Sequence, residues 1–242
     1  MSHPKQGYHL PDGTRVPGVT TITGRFKDSG ALLFWAFNQG KAAERGEIRN
    51  LYEKRDEAGE SGTATHFLVY RHIHGLTPLD LGKLDVLDQG DDGKLDLTDD
   101  SRQQIQSGFD AYLAWERMTK LKITHQEMRM VDTTYKFGGC PDALGVIDGA
   151  QCLLDWKTSK GVYADFLIQI AAYGHLVANG LLLDQDYEPL NIHVEGYHLC
   201  KFSKEFGDFS HHYFQELDVG WEQFMLLRQA YENDKILKRR AS

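Results

Sequence analysis

No stretch of the 242-residue chain approaches the roughly 20 consecutive apolar residues that a membrane-spanning helix requires. Met1 to Leu10 is polar and lacks the apolar run of a secretory signal. There are only three cysteines, Cys140, Cys152 and Cys200, and no two form a CxxC pair, so no disulfide framework is expected. A reducing cytoplasm is the expected compartment, with no membrane partner. Also missing are GxSxG, a Walker lysine loop, GxGxxG and HExxH. Their absence sets aside nucleophile-elbow hydrolases, P-loop and dinucleotide-binding proteins, and zinc proteases.

Basic charge is scarce as well. Lys and Arg number 27 against 35 Asp and Glu, a net charge of −8, and phosphate binding usually rests on basic side chains. The deficit is local, however. Residues 79–100 hold eight aspartates against Lys83 and Lys94, and the rest of the chain is close to neutral. Net charge does not exclude a nucleic-acid partner. Hydrophobic residues, at 41%, suffice for a sizeable core.

The chain shows no internal repeat and reads as a single domain over 1–242. Its mainly helical part, 1–120, carries the acidic insertion 79–100, and a sheet core with a closing helix occupies 121–242. A hairpin around Asp12-Gly13 opens the first part. Helical patterns follow at Ala31 to Asn38, Lys41 to Ala58, Thr63 to His74 and Asp100 to Lys120, the last capped by the Thr98-Asp99-Asp100 cluster. Phe34, Trp35 and Phe37, with Lys41, Arg45 and Arg49, read as a helical cap on the core, the alternative being a strand-guiding arch. In the second part, strands are expected at Ile123 to Val131, Gly139 to Ile147, Cys152 to Lys157, Asn191 to Lys201 and His211 to Leu217. Helices are expected at Asp165 to Asn179 and Val219 to Lys238. This order indicates an α/β fold. The stretch from Asp88 to Asp99 partly matches a calcium loop, but Gly90 at its third position supplies no ligand, and it reads as a solvated acidic insertion.

Asp148-Gly149 between two apolar runs is the informative feature. It signals a two-residue type I′ turn, whose central residues both need positive φ. Ile147 then faces Ala150, and continuing down the ladder sets Asp142 opposite Asp155. Directly opposed residues share a face with Cβ atoms about 4.5–5.5 Å apart, and like charges there are destabilising. A divalent cation turns the penalty into a site of hard oxygen ligands. Lys157 shares that face, while Leu154 and Trp156 point away from it. An exposed acidic hairpin is the competing reading, and a run as apolar as Cys152-Leu153-Leu154-Asp155-Trp156 disfavours it.

Gly138-Gly139-Cys140-Pro141-Asp142, then Leu154-Asp155-Trp156-Lys157-Thr158-Ser159-Lys160, then Gln169-x3-Tyr173, resembles the PD-(D/E)XK nuclease superfamily, in its RecB-like exonuclease branch. That branch includes phage exonucleases and the mitochondrial genome maintenance exonuclease. Gly62-x3-His66 matches the motif by which the branch supplies an imidazole ligand, and Val16-Pro-Gly-Val-Thr-Thr-Ile is similar to a Ser-Val-Thr stretch of phage members. The resemblance implies a restriction-endonuclease-like core, a central mixed sheet flanked by helices, with an N-terminal helical extension. It further implies a metal-dependent DNA exonuclease acting on ends or single strands in recombination, repair or phage replication. A structure-specific endonuclease and a non-catalytic DNA-binding module are the alternatives.

On this resemblance His66, Asp142, Asp155 and the carbonyl of Trp156 would hold one or two Mg²⁺ or Mn²⁺ ions, and Lys157 would orient the attacking water. Glu127 would reach the metal through water or else hold the sheet edge. Gln169 and Tyr173, four apart on one helix face, would contact phosphate or orient the lysine, or Tyr173 would pack on the sheet. Ser159 and Lys160 would grip a phosphate. Some members carry a four-cysteine iron–sulfur cluster, which three scattered cysteines cannot complete.

Overall fold

The computed structural model describes residues 7–26, 30–47, 53–83, 86–88, 93–203 and 207–241. Its elements run β1 (Tyr8–His9), β2 (Arg15–Val16), α1 (Val19–Arg25), α2 (Gly30–Glu44), α3 (Glu53–Ile73), β3 (Val86–Asp88), β4 (Lys94–Asp96) and α4 (Asp99–Thr119). The second part runs β5 (Lys122–Gln126), β6 (Met130–Asp132), β7 (Phe137–Gly139), β8 (Ala143–Ile147), β9 (Ala150–Thr158) and α5 (Ala164–Asn179). It closes with β10 (Leu181–Leu182), β11 (Glu188–Pro189), β12 (Gly196–Phe202), β13 (Phe209–Phe214) and α6 (Asp218–Ala241).

The fold is mixed α/β around a five-stranded sheet in the order β13-β12-β9-β8-β5, in which only β12 and β9 are parallel. Helices flank both faces. Leu144 and Leu153 meet Ile170, Tyr173 and Leu176 of α5 and Phe224 of α6 on one side. Ala143, Leu154 and Trp156 meet Val69 of α3 and Tyr112 and Trp115 of α4 on the other. Alternation along β9 thus sends Leu154 and Trp156 to the α3–α4 face and Leu153 to the α5–α6 face. No helix among the described residues is long and apolar enough to cross a membrane.

The β8–β9 hairpin has the expected register, from Ile147↔Ala150 to Ala143↔Leu154. Asp148 and Gly149 both have positive φ, 51° and 88°, as a type I′ turn demands. Thr98 caps α4, its hydroxyl accepting from the Ser101 N–H at 3.2 Å. The β1–β2 pair is a hairpin, with Gly13 at φ 82° in its turn.

Three expectations change. The strand read over Ile123 to Val131 breaks at Glu127, whose φ is 50°, and the one read over Gly139 to Ile147 breaks at Cys140-Pro141-Asp142. The chain here is one long bent hairpin: β5 pairs with β8 in the central sheet, while β6 pairs with β7 in a second sheet of order β11-β10-β6-β7. Alternation of apolar residues continues across such a bend, so periodicity does not reveal it. Secondly, the helix read over Lys41 to Ala58 does not exist as one element. α2 ends at Glu44, and α3 instead runs without a break through Gly59 and Gly62. Two glycines cost a helix about 1 kcal/mol each, and burial of Ala64, Leu68 and Val69 offsets this. Thirdly, Leu33, Phe34 and Phe37 are exposed, so this part of α2 is no core cap; Arg49 lies outside the described residues. The acidic insertion is a hairpin, β3 with β4, anchored by buried Leu81, Leu87 and Leu97. Residues 89–92 of the calcium-loop match lie outside the described residues.

Gly138 shows how tightly the bend is packed. A Cβ there would lie 2.4–2.6 Å from three atoms of Tyr8. Gly138→Ala is expected to destabilise the protein by about 1–3 kcal/mol through overpacking, measured by urea unfolding. Against a Tyr8→Gly background the same change should cost much less, because the clashing ring and Cβ are both gone. Additive costs would show that the Tyr8–Gly138 contact is not what the glycine serves.

Candidate metal and catalytic centre

Asp142 directly precedes β8, and one further step along the ladder sets it opposite Asp155 of β9. Its carboxylate closes the hairpin end: Trp156 N–H donates to Asp142 Oδ2 at 2.8 Å. Its carbonyl accepts from the Glu127 N–H at 2.9 Å, which ties the kink to the same point. Asp155 is 1% exposed. Lys157 Nζ lies 2.7 Å from Asp155 Oδ2 and pairs with it, which leaves the buried Oδ1 without a hydrogen-bond partner.

Burial lifts the Asp155 carboxyl to about 6, with Lys157 opposing the rise and Asp142 adding to it. Burial alone would depress the Lys157 ammonium, but Asp155 and then Asp142 outweigh it and hold Lys157 above the usual lysine range. The lysine therefore stays charged at neutral pH.

His66 comes from α3. A Cβ on Gly62, one turn earlier, would sit 3.1 Å from Thr158 Oγ1, so the glycine lets the helix cross close to the end of β9. Burial, then the Lys157 charge, lowers the His66 imidazole to about 4; Asp155 and a hydrogen bond with the Trp156 carbonyl oppose the shift. His66 is neutral at pH 7, the state in which imidazole binds metals.

These groups line a cleft of about 620 Å³. His66, Glu127, Cys140, Asp142, Trp156, Lys157, Gln169 and Tyr173 all belong to its wall. Gln169 Nε2 donates to the Tyr173 hydroxyl at 2.8 Å. Burial, then Asp155, raises the Tyr173 phenol well above its ordinary value, so it remains a donor. The ring packs on the sheet at Gly139, where a Cβ would come within 2.7 Å of it. Both readings of Tyr173, sheet packing and a place in the site, are thus compatible with its position. Glu127 sits at the kink after β5 and not within a strand, but it lines the cleft. Ser159 and Lys160 do not. The Ser159 hydroxyl donates to the Gly161 carbonyl at 2.8 Å, and Lys160 is exposed outside the wall.

Seven wall residues were not among the expected site residues: Thr20, Thr23 and Gly24 of α1, Cys140, Thr158, Asp165 and Phe166. α1 is seven residues long and rich in threonine, too short for a helical period to register. Asp165 in the first turn of α5 had a usable signal, since it follows β9 closely.

The donors suit a hard divalent cation. Two carboxylates, one of them with an orphaned buried oxygen, a neutral imidazole and a strand carbonyl are available. They are not pre-assembled: among the described residues no group of three His, Cys, Asp or Glu side chains is poised to hold a metal. Asp142 Oδ2 faces Trp156 N–H and Asp155 faces Lys157, so ligation requires these contacts to yield.

No family model and no curated protein matches the sequence. Solved structures that match include the protein SSO0001, at 13% identity and TM-score 0.33, over 53% of this chain and 57% of that one. LHK-Exo in complex with dAMP matches at 13% identity and TM-score 0.37, over 57% of this chain and 74% of that one. The alkaline exonuclease LHK-Exo from Laribacter hongkongensis matches at 13% and 0.35, over 55% and 69%. Likenesses this partial do not bear on function.

The two perturbed groups act oppositely on stability. Asp155 rises from 3.8 in the unfolded chain to about 6, so its contribution favours the fold below about pH 4 and is lost as pH rises through 6. His66 falls from 6.5 to about 4, so its contribution is present above pH 6.5 and is lost as pH falls through 4. In EDTA, Asp155→Asn should make stability rise more steeply with pH between about 4 and 6, and His66→Gln less steeply. Urea unfolding across that range reads both slopes, and changes of the same sign in both variants would refute the assignment.

Proposed function

We propose that this chain is a divalent-metal-dependent nuclease of the PD-(D/E)XK kind, hydrolysing DNA phosphodiester bonds from strand ends. The single observation that carries the reading is the buried Asp155–Lys157 ion pair beside Asp142, opening on a cleft with a neutral histidine. Buried ion pairs are costly for a fold because both charges lose their hydration, and clusters of perturbed groups in a cleft mark functional sites.

Asp142, Asp155, His66 and the Trp156 carbonyl would hold Mg²⁺ or Mn²⁺, one or two ions, with the imidazole favouring manganese more than an all-oxygen site would. Such an ion lowers the pKa of water and polarises the phosphoryl oxygen. Lys157, held charged by two carboxylates, is unsuited to be a general base near neutral pH. It instead orients the attacking water and offsets the negative charge that builds on the phosphoryl oxygens. Tyr173, kept protonated and braced by Gln169, donates towards a phosphate oxygen. Glu127 lines the same cleft and would hold a water beside such an ion.

The test uses labelled oligonucleotides with Mg²⁺ or Mn²⁺, and EDTA as the control. Asp142→Asn and Lys157→Met are each expected to lower cleavage by on the order of 10³-fold or more while leaving the far-UV circular dichroism spectrum unchanged. Parental rates in either variant would overturn the reading. A circular single strand left uncut separates an end-dependent enzyme from an endonuclease. Binding of oligonucleotide without any cleavage would instead favour a non-catalytic DNA-binding module.

A further inference from the structure

The loop leaving the site, residues 159–163, is braced where it starts. Ser159 N–H donates to the Phe202 carbonyl at 3.1 Å, and the Ser159 hydroxyl donates to the Gly161 carbonyl at 2.8 Å. At the loop's end stands Tyr163, 48% exposed. Its ring lies over Gly161, where a Cβ would be 3.8 Å from Tyr163 Cζ, and meets Phe166 edge-on with centroids 5.4 Å apart. Phe166 lines the cleft, and the Lys157 ammonium sits 5.5 Å from its ring centroid. An aromatic pair therefore runs from the catalytic lysine out to solvent.

Tyrosine is a poor choice at this position. Tyr163 is the N-cap of α5, with φ −118° and ψ 151°, and its side chain makes no capping hydrogen bond. Ser, Thr, Asp or Asn would accept from the first-turn N–H groups. Burial does not account for the ring either, since about half of it is exposed. A residue that serves neither the cap nor the core, placed beside a catalytic cation, breaks a local rule where functional sites characteristically do.

We infer that Tyr163 and Phe166 form a stacking platform for an unpaired nucleobase of the strand being cut, next to the phosphate that Lys157 faces. The inference rests on the nuclease reading and narrows its substrate to DNA that is single-stranded at the cleavage position. Edge-on packing holds the Tyr163 ring without covering it. Away from a duplex end a base has both faces occupied by its neighbours, so at an internal position only an unpaired one can lie on the ring. Every base offers a π-face, and the platform consequently selects strandedness and not sequence.

The test compares end-labelled single-stranded oligonucleotides with a blunt duplex of the same sequence, in Mg²⁺ or Mn²⁺. Tyr163→Ser removes the ring while supplying a preferred helix cap, so loss of the fold does not confound it, and Tyr163→Phe retains the ring. Tyr163→Ser is expected to raise KM for the single strand by about 5- to 150-fold, the span of one base–aromatic stack. It should leave kcat nearly unchanged and narrow the preference over duplex, with Tyr163→Phe behaving as the parent. An unchanged KM in Tyr163→Ser, with an active parent, overturns the platform and leaves the nuclease reading standing. A parent that cuts neither substrate overturns both.

Discussion

Two like charges held opposite each other near the end of one hairpin are the constraint around which the rest of this structure is arranged. Asp142 and Asp155 repel, and Asp155 is sealed from water. Isolated charges do not survive burial, so the group must be paired or neutralised. Lys157, two residues along the same strand face, provides the compensation, and both aspartates hold it charged in return. The carboxyl of Asp155 still rises to about 6. The lysine thus offsets only part of the cost of burying this carboxyl.

The surrounding fold supplies close approach. Gly62 lets α3 cross at Thr158 and deliver His66, while Gly138 and Gly139 accept the rings of Tyr8 and Tyr173. Glu127 adopts φ 50° at the point where the hairpin changes sheets, a conformation that costs a non-glycine residue about 1–2 kcal/mol. Its N–H is bonded to the Asp142 carbonyl, so the kink and the aspartate are fixed by one contact. The cleft wall carries Glu127, Asp142 and Asp165 beside Lys157, with Asp155 buried behind it. Under the proposed function, an acidic wall of this kind would attract cations and would accept a phosphate once they are bound.

Much of the site was legible in the residues. Asp-Gly specifies one turn geometry, and a two-residue turn leaves only one register, so Asp148-Gly149 sufficed to set Asp142 against Asp155. Period-two alternation then sorted Lys157 from Leu154 and Trp156. The bend at Glu127 and Cys140 to Asp142 was not legible, because apolar alternation carries on through a change of sheet. Helix α1 was missed for want of length, and α3 was cut short at Gly59 and Gly62, since propensity counts a glycine as a break when packing has made it a crossing point.

The sequence by itself determined the hairpin, its register and which side chains share a face, because these follow from local backbone sterics and the two-residue period. Only the tertiary structure decided what those side chains experience. Burial of Asp155, the depressed imidazole of His66 and the meeting of α1, α3 and α5 over one cleft depend on elements well over a hundred residues apart. Desolvation is a property of everything that surrounds a group, and a linear pattern does not encode it.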